Sequence, residues 1–462
     1  MRRGLRAAGW AVAGLLALPL LPVLATNVLL RTSLLRRLIN ADPDALTVDY
    51  RGASSWLPGH LAFESIALRS RDQNVEFEAA LGDVRLRVSL ADLVKRRFHT
   101  TRLRAGTLRF RLRERLTRQE ATAVRLARYP RIEGFADPPL VPASPSVPAT
   151  GPVPWRLVID DLAVARVEEI WIDSWKWNGN GRVAGSFELL PGREARVGPA
   201  RLGVDSGALR RGDAQVANRT RGEVWCELPR FDSETHPGNE VWKILSGGSD
   251  LRADLAGLEF LSPDSGGADV SGGRGWILAR VALKHGAGGI RVSATARDAT
   301  LRTPNRTFKA TARLDLLVPR VDFPRGEASL AGTKVVFSDV AVEGAPGRPW
   351  SATFSAPKAR LRLGDGSLDA GLAGSLLDAR PIVALMPSGL PRWIAKVLDL
   401  ENLVVSGHVA AGPSRLALTS LELSAGDFSL AGDYRSSPGR EHGKFRATKG
   451  GFSIDFTVPS GG

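Results

Sequence analysis

Apolar and polar residues alternate one for one along segment after segment of this 462-residue chain. In "GTLRFRLRER", residues 106–115, Leu108, Phe110 and Leu112 take turns with Arg109, Arg111 and Arg113. Period two is the signature of a β-strand, whose successive side chains point to opposite faces, so this strand carries an apolar ribbon on one face and a guanidinium ribbon on the other. The same pattern recurs in "HLAFESIALRSR", "NVEFEAALGDVRLRVSL", "TTRLRAGTLRFRLRERL", "FKATARLDLLVPRVDF", "KVVFSDVAV" and "ARLRLGDGSLDAGLAGSLL". In "GFSIDFTVPSGG", Phe452, Ile454, Phe456 and Val458 share one face, and Ser453, Asp455 and Thr457 the other. Turns are expected at Gly82-Asp83, Ala105-Gly106 and Asp365-Gly366. Short strands at such intervals, without alternating helices, predict an antiparallel all-β architecture, and 49 glycines with 29 prolines supply the turns it needs.

Helices are few. Ser89 and Asp92 resemble a capping box ahead of "LADLVKRR", and a second helix is expected from Thr117, with Glu120 in the capping position, to about Arg128. In "PSGLPRWIAKVLDLEN", Leu390, Trp393, Ile394, Val397 and Leu398 form an apolar stripe on a helix near 390–399. That stripe either caps an open sheet end or lies on a membrane surface. Residues 136–154, "ADPPLVPASPSVPATGPVP", are too rich in proline to join a ladder and read as a loop or linker.

The N-terminus sets the compartment. Arg2, Arg3 and Arg6 fall in a basic start, 1–6, and residues 7–30 carry no charge, exceeding the roughly 20 residues a membrane helix needs. We read a retained transmembrane anchor; a cleaved signal processed near Val23-Leu24-Ala25 is the alternative. Pro19 and Pro22 are tolerable in a membrane helix. Basic residues ahead of the span hold that end in the cytoplasm, although Arg31, Arg36 and Arg37 weaken the asymmetry. The bulk of the chain then lies beyond the membrane, in the periplasm of a bacterium with two membranes. The expected domains are an N-terminal β module at 31–135, the linker at 136–154 and a second β domain at 155–462.

Residues that carry chemistry are sparse. The six histidines, at 60, 99, 236, 285, 408 and 442, are scattered singly with no metal-binding spacing, and no phosphate loop or nucleophile elbow occurs. Cys226 in "EVWCEL" is the single cysteine, so it forms no intrachain disulfide and reads as an inert strand thiol. No catalytic, cofactor-binding or metal-binding residues are expected, and the chain is read as a non-enzyme. The excess of 63 basic over 48 acidic residues suits phosphates of lipid or nucleic acid, or serves solubility alone. Nucleic-acid motifs are missing, and the compartment argues against that partner. Trp171, Trp175 and Trp177 in "IWIDSWKWNG" are expected on one strand face, either packing across strands, walling a ligand site or marking a membrane interface.

The stretches "GHLAFESIALRS" and "FEAALGDVRLRVSLADLVKRRFHTTRLRAGTLRFRLRER" resemble the N-terminal module of AsmA-like and TamB-like proteins. "GDFSLAGDYRSSPGREHGKFRATKGGFSIDF" resembles the last hairpins of that group, and the likeness covers about residues 59–115 and 376–458. The resemblance implies a long, curled antiparallel sheet, a β-groove anchored in the inner membrane, whose apolar face holds lipid acyl chains. Val84, Leu86, Val88, Leu108, Phe110, Leu112, Phe452, Ile454 and Phe456 would line the groove, with Arg109, Arg111 and Arg113 on the wet face. The implied partners are phospholipid or another envelope lipid and the inner membrane, and the implied role is lipid transfer or outer-membrane maintenance. The alternative is a structural or assembly factor that engages outer-membrane proteins by β-augmentation.

Overall fold

A computed structural model describes residues 20–32, 36–37, 39–40, 46–141, 155–191, 193–232, 236, 238–264, 269–302, 307–343, 349–378, 400–413, 415–437 and 440–458. Their strands form one mixed sheet of 22 strands. The chain divides into two compact units. One comprises 1–213 and 223–241, the other 214–222 and 242–462.

The first unit holds β1 (Leu46–Arg51), β2 (Ser54–Leu57), β3 (His60–Arg71), β4 (Val75–Val88), β5 (Arg97–Glu114), β6 (Arg156–Ile172), β7 (Trp175–Leu190), β8 (Glu194–Arg211) and the later half of β9 (Ala214–Asp232). β1 and β2 pair with successive stretches of β3, and β3–β4–β5 and β6–β7–β8 are antiparallel ladders. The expectation of a wholly antiparallel sheet fails at one joint. β5 and β6 run parallel, from Arg97 beside Arg156 to Leu112 beside Ile172. Parallel neighbours need a crossover instead of a tight turn, and the chain between Glu114 and Arg156 provides it.

Two expected turns prove to be strand interior. Asp83 lies in the left-handed region (φ 50) in the middle of β4, opposite Gly106 in the unbroken β5. The side-chain alternation slips by one there. Leu81 and Leu108 therefore pack on the same cluster as Val84, Leu86, Leu103 and Ala105. Asp365-Gly366 is a hairpin turn as expected, with Gly366 at φ 65 and Asp365 accepting a hydrogen bond from the Ser367 amide at 3.0 Å.

Helix is scarce. α1 (Leu20–Arg31) lies in the segment expected to be an anchor, and residues 7–19 lie outside the described residues. Among the described residues no helix is long and apolar enough to cross a membrane. α2 (Leu90–Leu93) is one turn, with Ser89 at the N-cap position but making no capping hydrogen bond with its side chain. The helix expected over Thr117–Arg128 shrinks to α3 (Ala123–Leu126). Thr117 and Glu120 do bind each other, the Thr117 amide and hydroxyl both donating to the Glu120 carboxylate. Thr122 then opens a new cap by accepting from the Arg125 amide, so the helix starts there. The expected helix near 390–399 lies outside the described residues.

The second unit consists of β10 (Ser246–Leu255), β11 (Asp269–Lys284), β12 (Ala287–Arg302), β13 (Thr307–Asp322), β14 (Glu327–Ser329), β15 (Thr333–Val342), β16 (Trp350–Arg362), β17 (Leu368–Asp378), β18 (Glu401–Gly412), β19 (Arg415–Ala425), β20 (Phe428–Ser437), β21 (Arg440–Lys449) and β22 (Phe452–Val458), with the first half of β9. Antiparallel pairing runs from β10 through to β22. The short β14 lies beside β13 and β16 at the ends of those strands.

Candidate functional site

The two faces of the first unit differ in kind. On one face, charges of alternating sign cross six strands. Asp49 of β1 pairs with Arg69 of β3 at 2.9 Å, and Arg69 with Glu78 of β4 at 2.9 Å. Arg111 of β5 lies 4.0 Å from Glu78 and 2.7 Å from Glu169 of β6, and Lys176 of β7 closes the row at 2.9 Å from Glu169. Burial pushes the Glu169 carboxyl up, but hydrogen bonds and charge from Arg111 and Lys176 outweigh it and leave the group below its usual range. Burial likewise lowers Arg69, and its bonds to Glu78 and Asp49 raise it further than burial lowers it.

The expected wet arginine face is corrected here. Arg109 is exposed, Arg111 is half-buried and Arg113 is 1 % exposed. The crossover between β5 and β6 covers Arg111 and Arg113 and leaves Arg109 open. The carbonyls of Pro130 and Ala136 accept from the Arg113 guanidinium, and that of Arg131 from Arg111. Asp137 also pairs with Arg113, and Glu133 reaches Arg69 at 3.6 Å. The described start of the proline-rich segment, 136–141, is therefore packed: Leu140 bridges Leu116, and its carbonyl accepts from Arg115. Residues 142–154 lie outside the described residues.

The tryptophans divide between the faces, contrary to the expectation that they share one. β6 ends at Ile172 and a turn at Asp173-Ser174 precedes β7, so Trp171 lies opposite Lys176 and Trp177 opposite Ile170. The Lys176 ammonium sits 4.4 Å from the Trp171 ring centre on the charged face. Trp177 belongs to the apolar face, where its indole lies along the sheet. A Cβ built on Gly207 would come within 2.3 Å of its Nε1, and one on Gly179 within 2.6 Å of its Cζ2.

The apolar face of the first unit has a closed end and an open end. Val84, Leu86 and Val88 are enclosed with Phe63, Leu103, Ala105, Val164, Tyr50 and Leu30 of α1, and the Tyr50 hydroxyl donates to the Leu30 carbonyl at 3.0 Å. Each buried Val, Leu or Phe side chain here contributes about 1.5–3 kcal/mol. Leu108, Phe110 and Leu112 are half-buried, with Phe110 and Phe77 ring centres 6.2 Å apart. Beyond them Ile172 and Trp175 are 42 % and 40 % exposed.

In the second unit an apolar stripe runs across the strands in register. Ile277 of β11 lies opposite Ala294 of β12, Ala294 opposite Leu314 of β13, Leu314 opposite Val335 of β15, and Val335 opposite Phe354 of β16. These side chains are all half-buried. At β16 the stripe meets a buried cluster containing Ala352, Leu376, Leu403, Val405, Leu423 and Leu430, against which Phe354 packs. At β22, Phe456 stacks on Phe445 at 5.5 Å, whereas Phe452 is 84 % and Ile454 47 % exposed. β22 is hydrogen-bonded only to β21 among the described strands.

A cavity of about 1000 Å³ opens in the second unit, lined by Arg219, Arg252, Arg274, Arg297, Asp254 and Trp276 among others. Its charged lining makes it a poor acyl-chain site. Among the described residues no cluster of His, Cys, Asp or Glu could hold a metal ion. Burial pushes the Cys226 thiol up, away from the nucleophilic thiolate. The charged row escaped the sequence reading, although Glu76 and Glu78 alternate in "VEFEAAL" as the arginines do in β5; this acidic complement on a neighbouring strand is the signal that finds it. Comparison of the chain with family models, with curated proteins and with solved structures gave no match.

Proposed function

We propose that the protein holds or transfers lipid along the apolar face of its sheet, anchored in the inner membrane with most of the chain in the periplasm, as in AsmA-like and TamB-like proteins, and that it contributes to envelope maintenance. The carrying observation is the in-register stripe from Ile277 to Phe354, whose side chains remain half-buried. A sheet's apolar face is ordinarily buried against a second layer. In the second unit the described non-strand elements are 3-10 turns, Gly238–Lys243 in part and Glu259–Asp264. A curled sheet whose groove takes up acyl chains answers that need, because the chains supply the missing apolar contact without demanding hydrogen bonds.

Photo-crosslinkers placed at Phe110 and Leu314 should capture phospholipid in cells, and those at the adjacent Arg109 and Arg313, on the opposite faces of the same strands, should not. Absence of lipid at all four positions, together with unfolding of Leu314→Asp, would turn the stripe into an ordinary dry core and sink the reading.

One observation favours assembly by β-augmentation as a second reading. β22 leaves one edge unpaired among the described strands, with Phe452 and Ile454 exposed beside it, which is the geometry an incoming strand adds to.

A further inference from the structure

We propose that a second membrane contact, beyond the anchor itself, is built into the first unit: an apolar knob on the β2–β3 hairpin and the α2 turn, held against the end of α1, that seats in the headgroup layer of an anionic phospholipid bilayer. The inference rests on the reading that the uncharged N-terminal stretch spans the membrane. Trp56 and Leu57 at the hairpin tip are 68 % and 42 % exposed, and Leu90 of the α2 turn and Val94 just after it are 51 % and 87 % exposed. Water-facing tryptophan and valine at such exposures mark an interaction surface when they are contiguous.

Contiguity is given by hydrogen bonds. The Asn27 side chain donates to the Ser55 carbonyl at 2.7 Å and accepts from the Ser55 amide at 2.9 Å, so the hairpin is strapped to α1. The Gly59 carbonyl accepts from the Val88 amide at 2.7 Å, and a Cβ on Gly59 would lie 3.7 Å from Leu90, which places the α2 turn beside the hairpin.

Depth selects the occupant. Asn27 precedes Arg31, the first charge after the uncharged stretch, by one helical turn, about 6 Å along the axis at 1.5 Å per residue. If the stretch spans the bilayer, Arg31 marks its far interface, and Ser55 and Trp56 are held at that same level. Tryptophan prefers this level, since its ring is apolar and its N–H needs a polar partner. Exposed Lys95 and Arg96, next to Val94, and exposed Arg31 and Arg37 bring positive charge to where anionic headgroups lie.

The test uses the full chain with Cys226→Ser, carrying a single cysteine at Trp56→Cys, Val94→Cys or, as a control, Phe452→Cys. Each is labelled with an environment-sensitive fluorophore and reconstituted into phosphatidylcholine–phosphatidylglycerol vesicles, some containing lipid with a quencher at headgroup depth. All three positions are exposed, so labelling leaves the core intact. The expected result is a blue shift and loss of emission at 56 and 94 with neither at 452. Proteins that float with the vesicles but show no quenching at 56 and 94 would overturn the knob and leave the anchor standing; a segment of the chain covering the knob would give this outcome. Failure to float with the vesicles would overturn the anchor and the knob together.

Discussion

Arg113 and Glu76 face each other across β4 and β5, guanidinium to carboxylate at 2.8 Å, with side chains 1 % and 3 % exposed. Taking two charges out of water is costly, and their attraction offsets that cost only while both partners are present. Arg113→Met should therefore destabilise the fold by about 3–5 kcal/mol, because it takes from the buried Glu76 its 2.8 Å partner, while Arg115 lies 4.0 Å away. Glu76→Leu combined with Arg113→Met should cost clearly less than the single change. Denaturant melts of the four proteins in the cycle measure this. Strictly additive losses would show that the pair does not act as one unit.

Trp177 and Gly207 form a second interlocked pair. Gly207→Ala pushes a methyl into the indole, and overpacking of this kind costs about 1–3 kcal/mol. Trp177→Ala removes a side chain that is 8 % exposed and should cost about 3–5 kcal/mol. In the Trp177→Ala background, Gly207→Ala should become nearly silent in stability, since the clashing ring is gone. An undiminished penalty there would place the clash with the strand backbone instead.

His99 sits between two carboxylates, with Nδ1 2.7 Å from Asp92 and Nε2 2.6 Å from Asp160. Hydrogen bonds to Asp160 and then Asp92 raise the imidazole above its ordinary value of 6.5, against the lowering effect of burial. A group that holds its proton more tightly when folded stabilises fully below the unfolded value and loses that contribution as pH rises through the folded one. The melting temperature should accordingly decline from pH 6.5 upward through the raised His99 value, and His99→Gln should flatten that part of the profile. An NMR titration midpoint for His99 at or below 6.5 would contradict the assignment.

Ile454 and Phe452 at β22 touch little, so replacing both by lysine should change stability by no more than about 0.5 kcal/mol each. Lysine on an edge discourages pairing with an incoming strand. Crosslinks from β22 to outer-membrane protein strands, if they form with the native chain, should disappear with the lysine variant while lipid capture at Leu314 persists. Loss of both together would tie the edge to the lipid path.

The alternation of Leu108, Phe110 and Leu112 with Arg109, Arg111 and Arg113 is local information, and it placed these residues on two faces correctly. What each face meets is not local. Arg113 is buried because Asp137 and the Pro130 and Ala136 carbonyls return over it, and nothing within "RFRLRER" encodes that cover. Gly82-Asp83 and Ala105-Gly106 read as turns because the same residue types serve a kink within long strands; only their position opposite each other across β4 and β5 decides. The tryptophan stripe failed for the converse reason. Period two was carried through Asp173, whose left-handed backbone at φ 50 helps turn the chain there. Val84, Leu86 and Val88 fit a groove lining as well as a core by pattern, and Leu30 and Tyr50 settle their enclosure.

The parallel joint of β5 with β6 imposes an order of assembly on the chain as it is made. Hairpins such as β3–β4 and β6–β7 bring together strands joined by short connections, so little loop entropy opposes their zipping. β6 finds β5 only after the whole crossover has been synthesised, when Arg97 can meet Arg156. Until then β5 waits with one edge bare. A nascent chain halted before residue 155 is thus expected to be the most aggregation-prone intermediate of the first unit, since a bare strand edge recruits other strands. The crossover that later covers the charged row is also what delays the closing of that edge.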